Sequence, residues 1–77
     1  MNTVSIHPDH IWLEGDPKML NDVMRFGDSL DELMGRQYGP RPDALLMNVH
    51  NPDHMPIMID YIRNKWSDNC EIIYEQH

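Results

Sequence analysis

At 77 residues the chain is one small domain, and its single cysteine rules out an internal disulfide as the source of stability. Thirteen acidic residues against six scattered Lys and Arg give a net charge of -7, which disfavours direct contact with nucleic-acid phosphates. No apolar run approaches membrane-spanning length and the first residues lack a signal-peptide pattern, so the expectation is a cytoplasmic protein without membrane contact.

In chain order, Val4–His7 reads as a short extended segment and His10–Glu14 as a better strand, rich in residues that favour sheets. The two can pair as a hairpin across Pro8-Asp9. Against this, Pro fixes a negative φ where tight hairpins prefer a positive one, which leaves residues 1–9 as a lead-in instead. Gly15-Asp16-Pro17 marks a helix start, with Asp16 as N-cap and Pro17 at the first helical position. The helix is predicted to run from Pro17 to about Gln37, because Leu20, Val23, Gly27, Leu30 and Met34 lie on one stripe. Gly27-Asp28 followed by a Ser29/Glu32 capping box offers a break and a second helix. The unbroken phase of the stripe favours one helix with a kink.

Tyr38-Gly39-Pro40-Arg41-Pro42 ends that helix, and a buried strand is predicted over residues 43–49. A polar loop leads into a helix capped by Asn51 or Asp53, with Ile57, Met58, Tyr61, Ile62 and Trp66 facing inward. Ser67-Asp68-Asn69 is a turn and Cys70–Tyr74 a last strand. The order β-α-β-α-β predicts an α/β domain over residues 1–77 with a mostly parallel three-stranded sheet, extended by an N-terminal strand if the first segment pairs. So short a chain under-covers a parallel sheet, which predicts self-association or a partner that supplies the cover.

Residues 41–74 resemble part of a response-regulator receiver domain. The likeness is carried by Pro42-Asp43-Ala44-Leu45-Leu46-Met47, Val49, Pro52-Asp53, the helix from Ile57 to Arg63, and Ile72-Ile73. The resemblance places the phosphoacceptor position at Asn48, and an amide cannot replace the carboxylate nucleophile. The acidic metal-holding pair is at best Glu14 with Asp16, and the later Lys has no counterpart. What the resemblance implies is a degenerate receiver that retains a signalling surface without its chemistry.

His7-Pro-Asp-His10 and His50-Asn-Pro-Asp-His54 are near-copies. If they meet at one edge of the sheet, four imidazoles with Asp9 and Asp53 suit Zn²⁺ or another borderline divalent ion. Without that meeting, Pro-Asp beside a His is ordinary turn chemistry. Cys70 has Glu71 and no base beside it, as a structural thiol would. No other cofactor is called for. Trp12, Trp66 and Tyr74, near the ends of their elements, are the interface candidates, with Asp28, Asp31 and Glu32 as steering acids. The resulting expectation is a non-enzymatic regulatory module of inhibitor or adaptor type, acting as a homodimer or on a protein partner, with a His-based metal module as the alternative.

Overall fold

The computed structural model describes residues 2–30 and 43–75 in full, and residues 35–38 as backbone. Five strands form one mixed sheet in the order β3-β4-β2-β1-β5. They are β1 (Asn2–Ile6), β2 (His10–Glu14), β3 (Gly35–Tyr38), β4 (Ala44–Asn48) and β5 (Cys70–Tyr74). Helix α1 (Pro17–Ser29) and helix α2 (His54–Trp66) complete the fold, and a short 3-10 turn, Ser67–Asn69, joins α2 to β5.

The expected α/β class holds, but the sheet is mostly antiparallel. β1 pairs with β2, β2 with β4, and β3 with β4, all antiparallel; only β1 and β5 run parallel. The first segment does pair as a hairpin, with Ile6 opposite Ile11 and the His7 N–H donating to the His10 carbonyl at 2.9 Å. Pairing of His7 with His10 leaves Pro8-Asp9 as the two residues that reverse the chain, so the hairpin forms across them although Pro fixes a negative φ. Each helix connects two parallel strands, β2 to β3 through α1 and β4 to β5 through α2, but β3 is not among the expected strands, and the strand predicted over residues 43–49 pairs antiparallel with β2. Other strands are inserted between the members of each pair, giving split β-α-β units.

Helix α1 begins as its sequence dictates. Asp16 caps it, its Oδ1 accepting the Lys18 N–H at 2.9 Å, and Pro17 occupies the first position. The helix ends at Ser29, well short of the predicted Gln37. Three poor helix formers in a row, Gly27-Asp28-Ser29, weaken the last turn, and the Ser29 hydroxyl donates to the Phe26 carbonyl at 2.6 Å. Residues 35–38 are then recruited by the sheet, where backbone pairing with β4 outweighs a helical stripe. The predicted capping-box partner Glu32 and the turn at 39–42 lie outside the described residues.

Before α2, Asn51 makes the turn: its side-chain oxygen accepts the Asp53 N–H at 3.0 Å and its carbonyl accepts the His54 N–H at 2.9 Å. Pro56 falls in the first turn, where a missing N–H is harmless. Arg63 and Lys65 sit in the last turn, favourable to the helix dipole.

Alternation along the strands turns Val4, Ile6, Ile11, Leu13, Leu45 and Met47 to one face. Met19, Leu20 and Val23 of α1 and Met58 and Ile62 of α2 close over them as one core. Ile57 does not join it: at 43% exposure it points away, correcting the predicted inner face of α2. On the other face Leu46, Trp12, Ser5 and Ile73 lie in one register row, each half-buried, and neither helix covers them.

Candidate functional site

The candidate residues gather at the two ends of the sheet. At one end the β1–β2 hairpin turn meets the loop after β4. His10 pairs with Asn48, and the Val49 N–H donates to the Asp9 carbonyl at 2.9 Å, so the two His-Pro-Asp-type segments do meet. Their side chains do not converge. The rings of His7 and His10 stack face to face, centroids 4.1 Å apart at 10°, an arrangement unlike two imidazoles sharing an ion. His10 Nδ1 donates to Asp9 Oδ1 at 2.7 Å, and this bond foremost holds the Asp9 carboxyl below its ordinary range. His50 is exposed, while His54, at the start of α2, has its Nδ1 buried without a hydrogen-bond partner. Among the described residues no group of three or more His, Cys, Asp or Glu is placed to hold a metal ion.

The other end carries a cleft of about 620 Å³, lined by Asn2, Asp16, Trp66, Asp68, Asn69, Cys70 and Glu71. Each element delivers its residue for a local reason. Asn2 starts β1 opposite Cys70, and its side-chain oxygen accepts the Asp16 N–H at 2.8 Å. Gly15 makes that contact possible, because its φ of +136° suits glycine and a Cβ there would strike the Asn2 side chain. The Gly15 N–H also donates to the Asp43 carbonyl at 2.8 Å, tying the end of β2 to the entry of β4.

Trp66, the last residue of α2, is fixed by its indole N–H, which donates to Asp22 Oδ2 at 2.9 Å. Tyr61 and Lys65 bind the same carboxylate at 2.8 and 3.0 Å, and Phe26 stacks on Tyr61 with centroids 3.8 Å apart. Partial burial works against the charge on Asp22. The hydrogen bonds from Trp66, Lys65 and Tyr61 outweigh it and bring its carboxyl below the ordinary range. Sequence reading missed this cluster, which lies 39 to 44 residues apart along the chain.

Cys70 contributes the chain's one thiol to the cleft. Burial, and secondarily the charge of Glu71, pushes its pKa up, so at neutral pH the thiol is protonated and weakly nucleophilic. The register sets Cys70 beside Asn2, five residues before His7 on β1, a separation of roughly 16 Å along the strand. Cys70 and the hairpin imidazoles therefore cannot act as a pair.

Of the interface candidates, Trp66 lines the cleft, Tyr74 is exposed on β5, and Trp12 lies on the uncovered sheet face. Asp28 is exposed near the end of α1, and Asp31 and Glu32 lie outside the described residues.

The architecture is that of a small mixed-sheet α/β domain with both helices packed on one face and a cleft at one sheet end. Solved structures share it. A hypothetical protein from Staphylococcus aureus matches 97% of this chain and 100% of its own, with a TM-score of 0.61 and 14% identity. The essential ribosomal processing protease Prp from S. aureus matches over the same shares in two complexes. One holds a covalently linked product peptide (TM-score 0.60, 14% identity) and the other a substrate peptide (TM-score 0.59, 12% identity). No protein-family model matches the chain, and no curated protein matches its sequence.

At these identities the likeness establishes the fold. It corrects the receiver-domain resemblance: the strand ending at Asn48 is antiparallel to both its neighbours, and the structures that match are of another kind. It also overturns the expectation of a non-enzymatic inhibitor or adaptor, since this fold is one on which a protease is built.

Across the described residues, no helix is long and apolar enough to cross a membrane.

Proposed function

We propose that the chain acts on peptide segments, and that the cleft around Cys70 is where it does so. The observation that carries this reading is the union in one cleft of the chain's sole thiol, an aromatic wall at Trp66 and three acidic residues, Asp16, Asp68 and Glu71. The S. aureus protease of like fold, whose structures hold a substrate peptide and a covalently linked product peptide, adds support.

In this reading Cys70 Sγ is the nucleophile. As a thiolate it bonds to a peptide carbonyl carbon, the C–N bond breaks, and the leaving amine takes up a proton; water then hydrolyses the thioester. The thiol must first lose its proton, and the acceptors lining the cleft are carboxylates, far weaker bases than imidazole. Turnover is accordingly expected to be slow and to rise with pH as the thiolate forms.

The test is mass spectrometry of a peptide library incubated with the native protein and with Cys70→Ala, after circular dichroism has shown both folded. Cleavage with a transient acyl adduct on Cys70, lost in the variant, is the expected result. Identical products from Cys70→Ala, or no product from either protein at any pH, overturns the reading.

A further inference from the structure

We infer that the segment taken by this site is an extended peptide bearing a Lys or Arg side chain, its backbone added to the outer edge of β5 and its cationic group seated in the Cys70 cleft. The inference rests on the peptide-acting reading above and names its substrate class.

The edge comes first. β5 is the last strand of the sheet and pairs on one side only, with β1. The Glu75 N–H donates to the Ile6 carbonyl at 2.8 Å, so Glu75, Ile73 and Glu71 turn their backbone groups toward β1. By alternation, Ile72 and Tyr74 present theirs outward, where no described strand meets them. Exposed edges commonly carry Lys, Pro or a bulge against unwanted pairing, and Cys-Glu-Ile-Ile-Tyr has neither Lys nor Pro. An extended peptide can pair there by main-chain hydrogen bonds, with alternate side chains left to choose pockets.

The pocket lies at the head of the same strand. Asn69, Cys70 and Glu71 lead from β5 into the cleft, so a side chain opposite them reaches its interior. The lining includes Asp16, Asp68 and Glu71 and no Lys, Arg or His. Asp16 is already occupied in capping α1. Asp68 and Glu71 are exposed and form no ion pair among the described residues. Trp66, held in place by Asp22, adds an indole on which a guanidinium or ammonium group can settle.

The charge distinguishes the occupants. An acidic segment would be repelled. A second copy paired through β5 would gather Asp68, Glu71 and Glu75 from both chains, each of net charge -7. A cationic side chain would offset the negative charge of the acidic residues around the cleft and oppose the influence of Glu71 on the thiol.

The experiment uses fluorescence anisotropy with full-length Cys70→Ala protein, which can bind but not cleave. The probes are a labelled strand-forming peptide with a central Lys and its counterparts with Gln or Glu in that place. The Lys peptide is expected to bind about tenfold or more tightly than either, to lose that advantage in Asp68→Asn/Glu71→Gln, and to weaken as salt is added. Hydrogen exchange should show the Ile72 and Tyr74 amides protected by it.

Equal binding of the Lys and Gln peptides, or protection confined to other strands, overturns the inference. If native protein cleaves peptides through Cys70 irrespective of charge, the substrate class is wrong and the peptide-acting reading stands; if no probe binds and none is cleaved, both fall. A peptide-free dimer in sedimentation with Ile72 and Tyr74 already protected would assign the edge to a second copy and likewise overturn the inference.

Discussion

The indole N–H of Trp66 donates to Asp22 Oδ2 at 2.9 Å, joining the C-terminal end of α2 to the middle of α1 beside the cleft. The same carboxylate accepts Tyr61 and Lys65, so one small acid on α1 organises three side chains of α2.

Replacing Asp22 by Ala should leave the indole and phenol donors half-buried without their acceptor. Hydrogen bonds to a charged group are worth about 1.5–3 kcal/mol, and exposure of the Lys65 partner places the expected loss near ~2 kcal/mol. Urea denaturation compares the two proteins. The pH dependence has a fixed sign: the folded pKa of Asp22 is depressed, so its contribution is complete above the ordinary carboxylate value. It fades as pH falls through the lower folded value. Asp22→Asn should flatten that part of the stability–pH curve.

The phase of α2 can be tested with adjacent residues. Met58 is fully buried and Ile57 is not. Met58→Ala should cost about 2–5 kcal/mol through a lost contact and a cavity. Ile57→Ala should fall within about 0.5 kcal/mol of the parent. Equal losses from the two would contradict the observed helix face.

Gly15→Ala should destabilise the fold and disturb the cleft together. The φ of +136° is strained for any L side chain, and the added Cβ would collide with Asn2, the residue that meets both Asp16 and Cys70. Shortening the neighbour in Gly15→Ala/Asn2→Ala should recover only part of the lost thermal stability. The backbone strain remains, as does the 2.9 Å approach to the Asn2 Cα.

Alkylation reports on the Cys70 thiol. Burial raises its pKa most and Glu71 adds to it, so the iodoacetamide rate should climb with pH beyond the range of an ordinary thiol. Glu71→Gln removes the charge and leaves the burial. Its rate profile should shift to lower pH, with faster labelling at any pH below the thiol pKa; an unshifted profile would remove Glu71 from the account.

Several elements are legible in the chain because their signals are local. Asp16-Pro17 caps and starts α1 within three residues, the sheet-favouring run His10–Glu14 forms β2, and Asn51-Pro52-Asp53 makes the turn before α2. The candidate metal site was half legible. The sequence brought out the likeness of the two histidine segments, and the sheet does set them side by side. Only ring orientation, with His7 stacked on His10, decides that the donors do not converge.

By itself, the sequence determined the helix starts and the strands His10–Glu14 and Cys70–Tyr74, because caps, prolines and sheet-favouring runs act over a few residues. Tertiary structure decided which strands are neighbours. Both helices join parallel strands, but α1 leads to β3, a strand the sequence does not announce, and insertion of β4 between β2 and β3, and of β2 and β1 between β4 and β5, makes the sheet mostly antiparallel. Pairing with β4 also took residues 35–37 from the helix that the stripe from Leu20 to Met34 had favoured. The cleft belongs to the same category. Asn2, Asp16, Trp66 and Cys70 are scattered along the chain and meet only because β1 lies against β5 and α2 returns to the start of α1. Adjacency across a sheet is fixed by the burial of a whole face, a sum over distant residues that no short stretch contains.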